Sequence, residues 1–287
     1  MTLYLAFIAL FLVLWAIVAA LLPLAWRLVR ALAGRVTRGA ARLRVWSRWQ
    51  PRVTRFRAYA PVALVVLIGA AVTAFAGDEF LDLAELVHAK SPQLQRIDGE
   101  VHDWAVAKRN TSATPFFVAV TNAGGPVGSA VVVVIVAIVL AIRKRWRWLL
   151  YLAVTCGGGA LLNLELKRFF ARARPDVAEM LRLAHGYSFP SGHAMGAMVV
   201  YGALGYLAFR IIPRWRWKSA AVALAITIIV AVSLSRIYLG VHWISDVGAG
   251  LVAGATWVTV TTVAYETMRR IRGMRVVRGE AEPERDA

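Results

Sequence analysis

Apolar residues in this chain run in long unbroken blocks, and the polar residues between them are bunched into short segments. A helix needs about 20 apolar residues to cross a bilayer. Seven windows approach or exceed that length, at about 3–25, 58–77, 116–142, 148–165, 192–212, 219–238 and 243–265. The expected fold is all-α, a polytopic transmembrane helical bundle with a six-span core from residue 58 onward and one extra N-terminal span. The Ala-rich patch at Ala16–Ala20 leaves a cleaved signal peptide open for the first window. The missing basic leader and the length of the apolar stretch favour a retained anchor.

Composition supports the membrane reading, with 59% hydrophobic residues and a mean hydropathy of +0.60, above the apolar share of a soluble domain. The formal charge of +18 would point to nucleic acid in a soluble chain. Here it falls in the loops between spans, where the positive-inside rule places it, and no nucleic-acid partner is expected. Arginines crowd the stretch from Arg27 to Arg57 with no acid among them, and RKRWRW at 143–148, RWRWK at 214–218 and RRIRGMRVVR at 269–278 are also basic. All fall on one side if seven spans alternate, so that side is cytoplasmic, with the N-terminus outside and the C-terminus inside. The Trp residues of the two hairpins read as interface anchors. Leu28, Leu32, Val36, Leu43 and Trp46 recur at near-helical intervals, predicting a basic amphipathic helix on anionic inner-leaflet lipid. The chain thus divides into an anchor with an Arg-rich linker (1–57), a six-span core (58–267) and a basic-then-acidic tail (268–287). The segment 78–115 carries the acids and reads as an exterior loop, with His88 and His102 as solvated surface. Cys156, the only cysteine, excludes an intrachain disulfide.

Three polar clusters interrupt the pattern, each at the end of a span. In ELKRFFARARPD (165–176), Lys167 and Arg174 are seven apart, which puts two cations on one helical face before Pro175 ends the helix. Snorkelling at the membrane edge is the plainer reading of these two. In PSGH (190–193), Ser191 is placed to cap the following helix, Gly192 permits close backbone approach, and the free N–H groups favour an anion that His193 would face. A capped helix with an interfacial histidine is the alternative. In SRIYLGVHWISD (235–246), His242 and Asp246 are four apart, so the carboxylate can hold the ring proton on Nδ1 and leave Nε2 as nucleophile or base, with Arg236 nearby. A buried polar staple competes with that reading. The first two clusters share a loop and two spans separate the second from the third, so all three meet one membrane face. By the charge pattern that face is the exterior.

Taken together, KxxxxxxRP at Lys167–Pro175, PSGH at Pro190–His193 and SRxxxxxHxxxD at Ser235–Asp246 resemble the signature of the type 2 phosphatidic acid phosphatase superfamily, which also contains vanadium haloperoxidases. The resemblance covers about 167–246 at every defining position. It implies a metal-independent lipid phosphatase in which His242 attacks phosphorus, Asp246 orients the ring and His193 protonates the leaving oxygen. Lys167, Arg174 and Arg236 would neutralise the phosphate, with Ser191 and Gly192 adding donors, and no metal or organic cofactor is needed. The implied partner is a phosphorylated membrane lipid such as phosphatidate, phosphatidylglycerol phosphate or a polyprenyl diphosphate, and a bacterial inner membrane is the expected location. Arg168, Arg172 and Arg182 are candidates for attracting an anionic headgroup, and His185 for shaping access. Lipid phosphotransfer, or phosphate-lipid binding without turnover in a transporter or scaffold, remains open at this stage. Protein partners are unknown.

Overall fold

The computed structural model describes residues 50–175, 180–181 and 186–277, with backbone alone at 50–61 and 273–277, and isolated positions before residue 50. The first predicted span, most of the Arg-rich linker, Arg182, His185 and the end of the tail lie outside the described residues. The described chain is all-helical: α1 (Gln50–His88), α2 (Pro92–Ala107), α3 (Thr114–Ala123), α4 (Pro126–Ile142), α5 (Trp146–Phe170), α6 (Gly192–Ile211), α7 (Trp215–Tyr238) and α8 (Ile244–Val277).

Five of these helices are long and apolar enough to cross a membrane, and α3 and α4 together make a sixth candidate span bent by 43°. The expected six-span core is thus present, with two corrections. The window 116–142 is broken at Gly124–Gly125, with Pro126 opening α4; a hydropathy window does not register a pair of glycines. The segment 78–115 is not a loop. The first core span continues as helix to His88, and α2 follows after Pro92.

α6 is the centre of the bundle, packed on α5, α7 and α8, while α1 lies along α8. Half of the apolar window of α6 is buried, against 6% for that of α1. Leu64, Leu67 and Ile68 on α1 and Val131, Val134 and Ile138 on α4 are exposed, as suits helices whose outer faces meet lipid. Without a hydrophobic drive between helices in lipid, close approach depends on small residues, and Gly250 and Gly254 supply it on α8. A Cβ at 250 would lie 2.7 Å from the Ser191 carbonyl oxygen, and one at 254 would lie 2.9 Å from Met198 Cβ. That seam carries Asp246, one turn above Gly250, against the start of α6, where the Ser191 N–H donates to the Asp246 carbonyl at 2.9 Å.

Candidate active site

Two local devices build the site. α7 ends in a Schellman motif: Gly240 takes φ +70°, its N–H reaches the Ile237 carbonyl at 3.0 Å, and the Val241 N–H reaches the Arg236 carbonyl at 3.2 Å. This turn folds His242 back toward Arg236. α8 then starts with the back-bonding half of a capping box, since Asp246, third residue of the helix, accepts the Trp243 N–H at 3.0 Å. The capping that Ser191 was expected to provide is absent. It holds the N-cap position of α6, but its side chain makes no capping bond.

His242 is 3% exposed and Asp246 fully buried. Arg174 Nη1 lies 3.0 Å from His242 Nε2, and because a guanidinium only donates, Nε2 is the acceptor. The ring proton is therefore on Nδ1, which faces Ser188 Oγ at 3.2 Å and Asp246 Oδ2 at 3.4 Å. The Ser188 hydroxyl in turn donates to Asp246 Oδ2 at 2.5 Å. Burial pulls the His242 imidazole down to about 4; Asp246 opposes this, and Arg174 and Arg236 add to it. The resting ring is neutral at pH 7, with its lone pair on Nε2.

α5 ends at Phe170, so Lys167 and Arg174 do not share a helical face as expected, and carbonyls of the loop before α6 bring the two together. Lys167 Nζ donates to the Tyr187 carbonyl at 2.7 Å, and Arg174 donates to the Gly186 carbonyl at 2.9 Å and the Val241 carbonyl at 2.7 Å. Arg236, 4% exposed, donates to Thr121 Oγ1 on α3 at 2.5 Å. His193 lies against the α3–α4 break, where a Cβ on Gly125 would lie 2.9 Å from its Nε2. Lys167, Arg174, Gly192, His193, Arg236 and His242 line one cavity of about 750 Å³.

Six of the eight predicted site residues therefore share a single space. Asp246 sits behind His242, as an orienting group would. Ser191 does not reach the cavity: its N–H is used by the Asp246 carbonyl and its side chain is fully buried. Sequence reasoning passed over Ser188, Thr121 and Asp98. Ser188 stands two residues before the PSGH motif, while nothing distinguishes Thr121 within an apolar run. Asp98 and His102, expected on a solvated loop, are 2% and 6% exposed. With Ala105 they form the buried face of α2, and that helical spacing was the available signal. Arg172, expected to attract a headgroup, instead donates to Asp246 and Asp98. Arg168 pairs with Glu165 on the surface.

A family model described as the PAP2 superfamily matches residues 148–270. Phosphatidylglycerophosphatase B of Bacillus subtilis is 33% identical over 195 residues, covering 67% of this chain and 94% of that protein. Decaprenylphosphoryl-5-phosphoribose phosphatase of Mycobacterium tuberculosis is 31% identical over 121 residues, 40% of this chain and 59% of that protein. Among solved structures, a transmembrane PAP2 type phosphatidylglycerolphosphate phosphatase from Bacillus subtilis superposes with a TM-score of 0.64 at 31% identity, covering 70% of this chain and 98% of that one. With its three motifs gathered around one cavity and a relative aligned over nearly that protein's whole length, this chain belongs to the PAP2 superfamily.

Proposed function

We propose that this protein is a metal-independent lipid phosphate phosphatase that works through a phosphohistidine. The observation that supports it best is the shape of the cavity. Its polar end holds Lys167, Arg174, Arg236, His193 and the lone pair of His242, and an apolar stretch of the lining includes Ala130, Val133, Cys156, Gly157, Gly196 and Val200. From His193 to Val200, and from Asn163 to Cys156, the lining descends seven residues along α6 and α5, about 10 Å at 1.5 Å per residue. A phosphate fits at the ring, with the first stretch of a hydrocarbon tail below it.

In the reaction, the substrate phosphate draws Arg174 off Nε2 onto its own oxygens, alongside Lys167 and Arg236. Nε2 attacks phosphorus, the bond from phosphorus to the leaving oxygen breaks, and His193 gives that oxygen a proton. The ring becomes cationic with its Nδ1 proton retained, and Asp246 and Ser188 stabilise it. Water then attacks phosphorus, His193 takes its proton, the P–N bond breaks and inorganic phosphate leaves. Gly192 adds a backbone donor beside Lys167, and Ser191 serves by joining α6 to α8.

The relative aligned over most of this chain carries the name phosphatidylglycerophosphatase, so phosphatidylglycerol phosphate stands first among substrates, followed by phosphatidate and polyprenyl phosphates. The site lies at the helix ends opposite the basic hairpins at 143–148 and 214–218. Positive-inside placement of those hairpins supports a site on the exterior face of a bacterial inner membrane, with the Arg-rich linker on anionic inner-leaflet lipid. Purified protein in detergent with EDTA is expected to release phosphate from at least one of phosphatidylglycerol phosphate, phosphatidate and polyprenyl diphosphate. Release that EDTA abolishes would overturn metal independence. Lipid binding with no release or transfer would favour a carrier.

The tail pocket gives a second expected result. Gly157 lines the cavity, and a Cβ there would meet no atom within 4 Å, so a larger side chain starts into open space at the cavity wall. Gly157→Leu should exclude two or three methylenes at about 0.8 kcal/mol each, lowering kcat/KM for a long-chain lipid phosphate about 15- to 60-fold. A short water-soluble alkyl phosphate should lose less than about threefold. Equal losses for both would place the tail elsewhere.

A further inference from the structure

We propose that Arg172 and Asp98 are positioning residues for the nucleophile, a buried guanidinium–carboxylate pair that fixes Asp246 and tempers its negative charge so that His242 is oriented without being protonated. The inference rests on the phosphatase reading and deepens it.

Asp246 divides its two oxygens. Oδ2 serves the nucleophile's side, accepting from Ser188 Oγ, the Trp243 N–H and His242 Nδ1. Oδ1 accepts Arg172 Nη1 at 2.7 Å. The other terminal nitrogen of Arg172 donates to Asp98 Oδ2, also at 2.7 Å. Asp98 is anchored in turn by the Ser245 N–H at 3.0 Å and the Ser245 hydroxyl at 2.7 Å. The Arg172 side chain is only 16% exposed and lies over the Trp243 ring at 5.8 Å. Its two terminal nitrogens are thus occupied by two carboxylates, and it does not line the cavity.

The chemistry asks for such a group. A bare carboxylate beside an imidazole stabilises the imidazolium, and a protonated His242 has no lone pair for phosphorus. A cation on the far oxygen of Asp246 weakens that pull while leaving the hydrogen bond that sets the tautomer. Asp98 holds the cation in place and keeps it from swinging onto the substrate phosphate. The groups facing His242 are Asp246 from α8, Arg236 from α7 and Arg174 and Ser188 from the connecting loop, with Lys167 of α5 and His193 of α6 on the same cavity. Arg172 acts on the ring only through Asp246, in addition to the burial that pulls the resting imidazole down to about 4.

The test compares the parental protein with Arg172→Gln, Arg172→Lys, Asp98→Asn and Asp246→Asn, measuring phosphate release from phosphatidylglycerol phosphate between about pH 4.5 and 8. Arg172→Gln should lower kcat about 30- to 100-fold with KM within about threefold. Its kcat relative to the parent should fall further as pH drops, because His242 now protonates at higher pH; the substrate's own titration cancels in that ratio. Arg172→Lys should keep the ratio flat with pH while recovering only part of kcat, since one ammonium cannot span both carboxylates. Asp98→Asn should lose about five- to tenfold in kcat. Combined with Asp246→Asn, Arg172→Gln should cost little more than Asp246→Asn alone. An active parent whose Arg172→Gln variant keeps parental kcat, or raises KM by an amount that varies with headgroup, overturns the inference alone. The inference fails equally if the Gln and Lys variants lose activity to the same extent at every pH with lowered thermal stability, which marks a structural staple. A parent that releases no phosphate would overturn the phosphatase reading itself.

Discussion

His242→Ala should abolish phosphate release, with a loss of at least about four orders of magnitude in kcat, while the protein still binds phosphorylated lipid. The two halves of this expectation have separate causes. Binding rests on Lys167, Arg174 and Arg236, held by the Tyr187, Gly186 and Val241 carbonyls and by Thr121 Oγ1, and none of these contacts needs the His242 ring. Turnover is expected to rest on Nε2 of His242, whose lone pair is set by partners on the other side of its ring. Nδ1 keeps its proton toward Ser188 and Asp246, so Nε2 is the basic atom, and with the ring held at about 4 that lone pair is available throughout the neutral range. An alanine leaves a cationic pocket and a general acid, which together stabilise charge but form no bond to phosphorus. Phosphate release and acid-labile phosphoryl label on the protein, measured together, check the result. The parent should show both and the variant neither. Release at near-parental rate without label would mean that water attacks directly and that His242 has another role.

The positions of His242 and its partners illustrate what sequence reasoning can reach. Each of the three motifs is short, so its spacing already fixes local geometry: His242 and Asp246 meet because α8 begins between them. The span pattern then brings the motifs to one membrane face. The Asp98–Arg172 bridge joins residues 74 apart in sequence, and nothing in that separation marks the pair. In sequence Asp98 is one acid among several in the segment 78–115, and Arg172 is one of the cations expected at a membrane edge. Helix ends are hard to read for a related reason. A hydropathy window stops where polarity begins, but the backbone of α1 has no cause to stop there and runs on to His88. The α3–α4 break is hidden in the opposite way, inside a window apolar enough to read as continuous. It proves central to the site, since it supplies Thr121 to Arg236 and the bare Gly125 surface to His193.

That surface bears on the second large effect. His193→Ala should lower kcat about 10²- to 10⁴-fold on an alkyl phosphate, and the loss should depend on the leaving group in a way that separates its two roles. An alkoxide leaves poorly unless it is protonated as the P–O bond breaks, so the phosphorylation step needs the acid. A nitrophenolate departs without a proton, and phosphorylation from nitrophenyl phosphate should lose less than about tenfold. Water must still surrender a proton in the second step, so with this substrate the variant should give a rapid burst of nitrophenolate, close to one per enzyme, followed by a slow steady state. One residue is expected to do both tasks: His193, in the first turn of α6, lines the same cavity as His242, and its Nε2 lies against Gly125 at the bend, where a Cβ would come within 2.9 Å. Rapid-mixing measurement of the burst decides the matter. Equal losses in burst and steady state, or equal losses for alkyl and nitrophenyl phosphates, would remove His193 from proton transfer and leave it as a phosphate contact.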